Sequence, residues 1–372
     1  MLIGSSKKLN NQELSKQTRM LKAIEKLLIS ASVVGVSAIA SNPAFATTLK
    51  PSNIQFSTYQ DKPQVQTYLF GDTQYKTVNG IERQLLNDIT RDDINKATQA
   101  LTDDSAATNV EFWYGSENPQ RVGFTANLGK NTVKVETVVQ EDWQDEKLAK
   151  GWLDGFLGAY GSLLPASPTA DQYNLMLDTL KTKGLYSAGD PNVGAVALDD
   201  QTGKLQIDLV GHLDRAGLYI DTRQTIPNPI KTIRQNGKTI PNPTFGQPIP
   251  NPNYLKPKND ARYATGNIFL DQAIVALATK SVQQGKFFQM SEIAKVTFNG
   301  VVDYAFGFSA IDSGAFAADA SVSDTTSHTA IYSWNRTYQL PPSESVPEPS
   351  AMLGLISVGG FLVGKRKMLK KA

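Results

Sequence analysis

His212 and His328 are the only imidazoles in this 372-residue chain, and cysteine is absent. A zinc site of the usual kind takes three or four ligands, commonly His or Cys. Two histidines on distant segments do not supply that set, and no metal or cofactor is expected. His212 lies two residues from Asp214 and four from Asp208, close enough in sequence for a carboxylate to orient it as a general base. The competing reading is an ordinary polar residue at a strand end, hydrogen-bonded or solvated. Asp199-Asp200 offers half of a hydrolytic pair or oxygen ligands for calcium. Within Asp199-Asp200-Gln201-Thr202-Gly203, however, turn chemistry accounts for both aspartates. Asp312, Asp319 and Asp324 are further oxygen ligands, but their spacing matches no EF-hand loop.

No G-x-S-x-G elbow, P-loop or G-x-G-x-x-G fingerprint occurs. No catalytic or cofactor-binding residue is therefore assigned, and the chain is not expected to be an enzyme. A secreted hydrolase using scattered carboxylates is the least favoured alternative. Trp113, Trp143, Trp152 and Trp334, with thirteen Tyr, could stack on sugars in a carbohydrate-binding or adhesive module. Most of them fall on the apolar side of a patterned element, where a core role is the simpler account.

The elements that would position these residues are strands first. Val110, Phe112 and Tyr114 alternate with polar neighbours, as do Val122, Phe124, Ala126 and Leu128, then Val133, Val135 and Val139. Period-two alternation between turn residues predicts an antiparallel meander. Glu141 to Ser162 carries Trp143, Leu148, Trp152, Phe156 and Tyr160 at helical spacing, with Gly151, Gly155 and Gly158 allowing close packing on a sheet. A second helix is predicted from Ser167-Pro168 to Lys183-Gly184, and a third over Asn267 to Gln284. Hairpins are predicted around 199–203 and around Asn299-Gly300, the strongest short hairpin signal. Ala330 to Leu340 reads as a final strand. Thr47 to Ala107 is weakly patterned, with a short strand at Tyr68-Leu69-Phe70 and helix over Ile81 to Leu101, broken near Thr90-Arg91-Asp92-Asp93.

Ile-Pro-Asn-Pro occurs at 226–229, 240–243 and 249–252. Proline removes donors and blocks helix, so 223–258 reads as an extended low-complexity loop, a linker before a recognition strip. The fold class is α+β: a largely antiparallel sheet with several packed helices, over residues 47–345.

Both ends of the chain read as addresses. Lys22 and Lys26 precede an apolar run from Leu27 to Ala40, and Ala44-Phe45-Ala46 before Thr47 is a small-x-small cleavage site. That is a secretory signal peptide over residues 1–46, calling for the export translocon and signal peptidase. At the other end, Pro347-Glu348-Pro349 precedes an uncharged run from Ala351 to Gly364, followed by Lys365, Arg366, Lys367, Lys370 and Lys371. Fourteen residues of helix span roughly 21 Å at about 1.5 Å each, short of a ~30 Å hydrocarbon core. The basic cluster can snorkel and places the C-terminus inside.

Motif, apolar helix and basic terminus in that order resemble the PEP-CTERM sorting signal over residues 346–372. The run is short and the cluster is mostly Lys where the family favours Arg. The resemblance implies recognition by an exosortase, a membrane-embedded cysteine transpeptidase-like enzyme, and cleavage near Pro347-Glu348-Pro349. An inner-membrane-anchored precursor would then yield a body sent to the cell envelope, the surface or the medium, in contact with exopolysaccharide. The body as a whole resembles, more loosely, an uncharacterised cyanobacterial group of PEP-CTERM proteins, which implies no activity.

The formal net charge of +2 comes from the ends. Residues 47–349 carry 26 Lys or Arg against 33 Asp or Glu. A body of that sign lacks the footprint needed to neutralise phosphates, so nucleic acid is not an expected partner.

Overall fold

The computed structural model describes residues 48–340 apart from 79–80, 116–118, 165, 186–187, 236 and 318–326. The chain divides into two units, Met1–Arg336 and Thr337–Ala372, and the sheets and helices belong almost wholly to the first. The architecture is α+β and rich in largely antiparallel sheet, as the alternating segments require.

An eight-stranded sheet runs in the order Ile311–Asp312, Ala330–Thr337, Lys204–Gly211, Asn192–Asp199, Asn109–Phe112, Val65–Leu69 and Asp88–Arg91. Thr48–Leu49 joins it by pairing with Asn192–Asp199. A five-stranded sheet runs Val301–Ala305, Ala294–Phe298, Asn131–Thr137, Gly123–Leu128 and Ser52–Phe56. A third sheet places Ala315–Ala317 parallel to Ile81–Leu86, which pairs antiparallel with Tyr75–Val78.

The hairpins follow their turn residues. Asn299 and Gly300 adopt φ of 46° and 84° between Ala294–Phe298 and Val301–Ala305, the doubly positive pair that a twisted two-residue connection needs. Asp199 Oδ1 accepts from the backbone N–H of Gln201 and Thr202 at 2.9 and 3.2 Å. The expected turn thus engages that carboxylate.

Three expectations are corrected. The meander is split: Asn109–Phe112 pairs with Val65–Leu69 and Asn192–Asp199, whereas Gly123–Leu128 and Asn131–Thr137 form a hairpin in the other sheet. Period two specifies strand and face but not the partner. Ile81 to Arg91 is two strands rather than helix, and the helix begins only at Ile94. There Asp93 caps it by accepting from the N–H of Asn95 and Lys96. The third correction, at 223–258, concerns the candidate site.

One helix packs against the Val301–Ala305 strand of the five-stranded sheet, and two more join it in one core. Glu146–Tyr160 starts at its Asp145 cap, after a tight 3-10 turn at Gln140–Gln144. Trp152 and Phe156 stack at 5.2 Å between centroids, and both meet Phe308 edge-on. A Cβ on Gly155 would lie 2.7 Å from the Phe308 ring; the absent side chain is what admits that ring. Ala170–Lys183 is capped by Thr169, whose own N–H donates back to Gln172 Oε1, two residues beyond the predicted start. Ile268–Gln283, capped by Asn267, adds Leu270, Ile274, Leu277 and Ala278 to the same core. Among the described residues no helix is long and apolar enough to cross a membrane, and residues 351–364 lie outside them.

Candidate functional site

The residues carrying the targeting expectations, Ala44, Ala46 and Thr47 with Pro347, Glu348, Pro349, Lys365, Arg366, Lys367, Lys370 and Lys371, lie outside the described residues. The chemical candidates of the body are inside, apart from Asp319 and Asp324, and their surroundings explain them structurally.

Asp214 Oδ1 accepts from the backbone N–H of Ala216 and Phe288 at 3.0 and 3.1 Å. It fastens the turn after the Lys204–Gly211 strand to the segment following the last helix. Burial raises its carboxyl above the ordinary value, and those two bonds offset part of the rise. Asp208 is also raised by burial, with bonds from Ser333 and Gln206 acting the other way. The His212 backbone carbonyl accepts from the Tyr332 hydroxyl at 2.7 Å, and that hydroxyl accepts from Met290 N–H at 3.0 Å. His328 is buried, its ring centroid 3.9 Å from that of Tyr68, with Nε2 3.2 Å from Asn192 Nδ2. The two histidines thus belong to different surroundings.

Asp312 forms a bidentate ion pair with buried Arg83 and accepts from Gly314 N–H at 2.8 Å. Asp319 and Asp324 fall outside the described residues. Among the described residues no group of three or more His, Asp or Glu is placed to hold a metal ion. Trp143 and Trp152 are core residues, 1% and 0% exposed. Trp113 and Trp334 are half-buried.

Sequence reading missed a buried charge centre. Asp142 accepts from Arg121 at 3.0 Å, Lys295 at 2.7 Å and Val139 N–H at 3.0 Å. Burial alone would raise its carboxyl, but the Arg121, Lys295 and backbone bonds outweigh that and hold it below the ordinary value. The centre ties the tight turn before Glu146–Tyr160 to Arg121, just ahead of the Gly123–Leu128 strand, and to Lys295 in Ala294–Phe298. No local signal marks it, because Lys295 lies 153 positions away.

The segment expected to be a loop is an ordered two-stranded ribbon. Thr225–Pro227 pairs with Pro248–Pro250, and Thr232–Gln235 pairs with Lys238–Pro241, both antiparallel. Rungs continue below, through Ile220 with Pro257 and Tyr219 with Lys258. The three motif asparagines donate their backbone N–H across the ribbon: Asn228 to Gln247, Asn242 to Lys231 and Asn251 to Gln224, each at 2.9 Å. In each register the isoleucine rung lies two residues along from such a bonded rung, as Ile226 with Ile249 and Ile233 with Ile240.

The prolines occupy the alternate positions, where a strand's N–H points away from its partner. Proline is tolerated there because no cross-strand donor is lost. Each asparagine is buried, and its Oδ1 accepts from the N–H two residues on, at Ile230, Thr244 and Asn253. Its Nδ2 reaches across: Asn228 to Thr244 Oγ1, Asn242 to the Ile230 carbonyl, Asn251 to the Arg223 carbonyl. The repeated unit is thus a period-two strand with a side-chain-locked turn.

The ribbon also segregates charge. Residues 222–259 contain six Lys or Arg and no Asp or Glu. Arg223 is paired with Asp221, and Lys258 donates to the Gly217 carbonyl. Lys231, Arg234, Lys238 and Lys256 are exposed and make no ion pair among the described residues. Ile230, next to Lys231, and Phe245, after the Asn228-bound Thr244, are 54% and 50% exposed. This strip places unpaired charge and exposed apolar side chains on a pre-formed scaffold. No protein-family model, curated protein or solved structure matches the chain.

Proposed function

We propose that the chain is an exported, non-enzymatic protein of the cell envelope or extracellular matrix, processed and sorted through its C-terminal tail by an exosortase. One observation carries the reading: the two address-like sequences, Lys22 to Ala46 and Pro347 to Lys371, stand at opposite ends of the α+β unit. The surroundings of Asp199, Asp214 and Asp312 support it, because each carboxylate is engaged by backbone or by an ion pair. A glycan-stacking role would fall to Trp113 and Trp334, since Trp143 and Trp152 are buried.

The test compares the native protein with a variant in which Pro347, Glu348 and Pro349 are all alanine. The reading predicts that the wild type loses the sequence beyond the motif and reaches the outer envelope or medium, while the variant keeps its tail in the inner membrane. Two full-length, membrane-held proteins would instead mean a simple tail anchor.

A further inference from the structure

We infer that the cationic ribbon docks on the Ala170–Lys183 helix of a second copy of this chain, joining copies head to tail. The ribbon supplies Lys231 and Lys238, whose rungs with Asn242 and Gln235 put them on one face, and Arg234 on the other; Ile230 precedes Lys231, and Phe245 follows the Asn228-bound Thr244. The prolines limit how it can bind: at 227, 241, 248 and 250 they remove outward donors, which disfavours strand addition along the Lys238–Pro241 and Pro248–Pro250 edge. On that edge contact comes through side chains.

The complementary surface is on the same molecule. Outside 222–259, residues 47–349 hold 20 Lys or Arg against 33 Asp or Glu. On Ala170–Lys183, Asp171, Leu175 and Asp178 are all exposed at spacings of four and three, which puts them on one helical face. Neither aspartate has an ion pair among the described residues. Leu175 is 47% exposed, and its carbonyl accepts from Asn267, whose neighbour Ile268 is 65% exposed. An acidic, apolar-centred stripe therefore matches a basic, apolar-flanked ribbon in both charge and greasiness.

Within one copy the ribbon cations stay exposed, so they are available to a neighbour of opposite charge. Two different patches meeting make a heterologous contact, which extends into open chains unless its rotation closes. The anchors are already ordered. Asn228 binds Thr244, next to Phe245, and Asn242 binds the Ile230 carbonyl; less entropy is then lost on docking. The inference does not rest on the export reading.

The experiment is sedimentation velocity on the full chain at low and high salt. Three variants are compared: arm-reversed (K231E, R234E, K238E), helix-reversed (D171K, D178K) and Phe245→Ala. Circular dichroism on each checks folding. The inference predicts wild-type association at low salt that weakens at least about tenfold at high salt, where exposed charges are screened. Either reversal alone weakens it by a similar factor, and mixing the two reversed proteins restores it. Phe245→Ala weakens it less. Association that persists or grows with salt would overturn the inference, because apolar contacts strengthen there. So would a wild type that stays monomeric yet binds dextran sulfate, which would assign the strip to a polyanion.

Discussion

The ribbon and the body solve the same problem, an ordered backbone in water, by opposite means. Around Trp143, Trp152 and Phe156 order comes from side chains brought together from distant segments, with relative exposures of 0–1%. In the ribbon little side-chain surface is buried. Order comes from three asparagines that each lock a turn, and from prolines that fix φ and leave fewer unfolded conformations to lose. A core tolerates chemistry only where it is neutralised, as at Asp142. A ribbon without a core can present its cations freely, and this one does. The contrast separates the part that makes the fold stable from the part built to meet something else.

Removing an aromatic from the body should give the largest effect. Trp152→Ala is expected to cost about 4 kcal/mol, read as the midpoint of urea unfolding, because the surrounding rings cannot close the cavity. Next comes Asp142→Asn, at about 2 kcal/mol near neutral pH, since it leaves Arg121 and Lys295, both partly exposed, without their shared counter-charge. The native carboxyl is held below its ordinary value. Its contribution is therefore complete above that ordinary value and disappears as pH falls through the lowered one. Wild type and Asp142→Asn should converge in acid, which denaturation across pH would show.

The ribbon should respond locally. Asn242→Ala removes the turn lock and the bond to Ile230, at about 1 kcal/mol. Protease sensitivity around 230–245 should rise while the global midpoint barely moves. A shift of the whole transition would mean that the ribbon and body are not separate in stability. Smallest is Asp208→Asn, within about 1 kcal/mol and of opposite sign to Asp142→Asn. Burial raises this carboxyl, so its protonated form is favoured below its ordinary value and that advantage is lost as pH rises through the raised one. A neutral isostere should be stabilising at neutral pH and neutral in acid.

These differences mirror what was legible in the sequence. Asn299-Gly300, the 199–203 turn and the stripe Leu270, Ile274, Leu277 were readable because each is set by neighbours along the chain. Ile81 to Leu86 was not: its Arg83 is buried by pairing with Asp312, 229 positions away, and Leu85 and Ile89 at helical spacing mimicked a helix. The ribbon was missed for another reason. Proline in the sequence reads as a strand breaker, but whether it breaks a strand depends on which way its nitrogen faces, and register decides that. The signal was present in the repeat itself: Ile and Asn alternate with Pro at period two. The targeting ends are the converse case, legible from order and composition alone.

Hydrogen exchange on the intact chain, resolved at the amides of Asn228, Asn242 and Asn251, tests the central claim most directly. The account predicts that all three are protected relative to Thr225 and Thr239, which share outward-facing rungs with no cross-ribbon bond. Equal, rapid exchange throughout 223–258 would contradict it, returning the segment to a loop and removing the scaffold on which the cation strip depends.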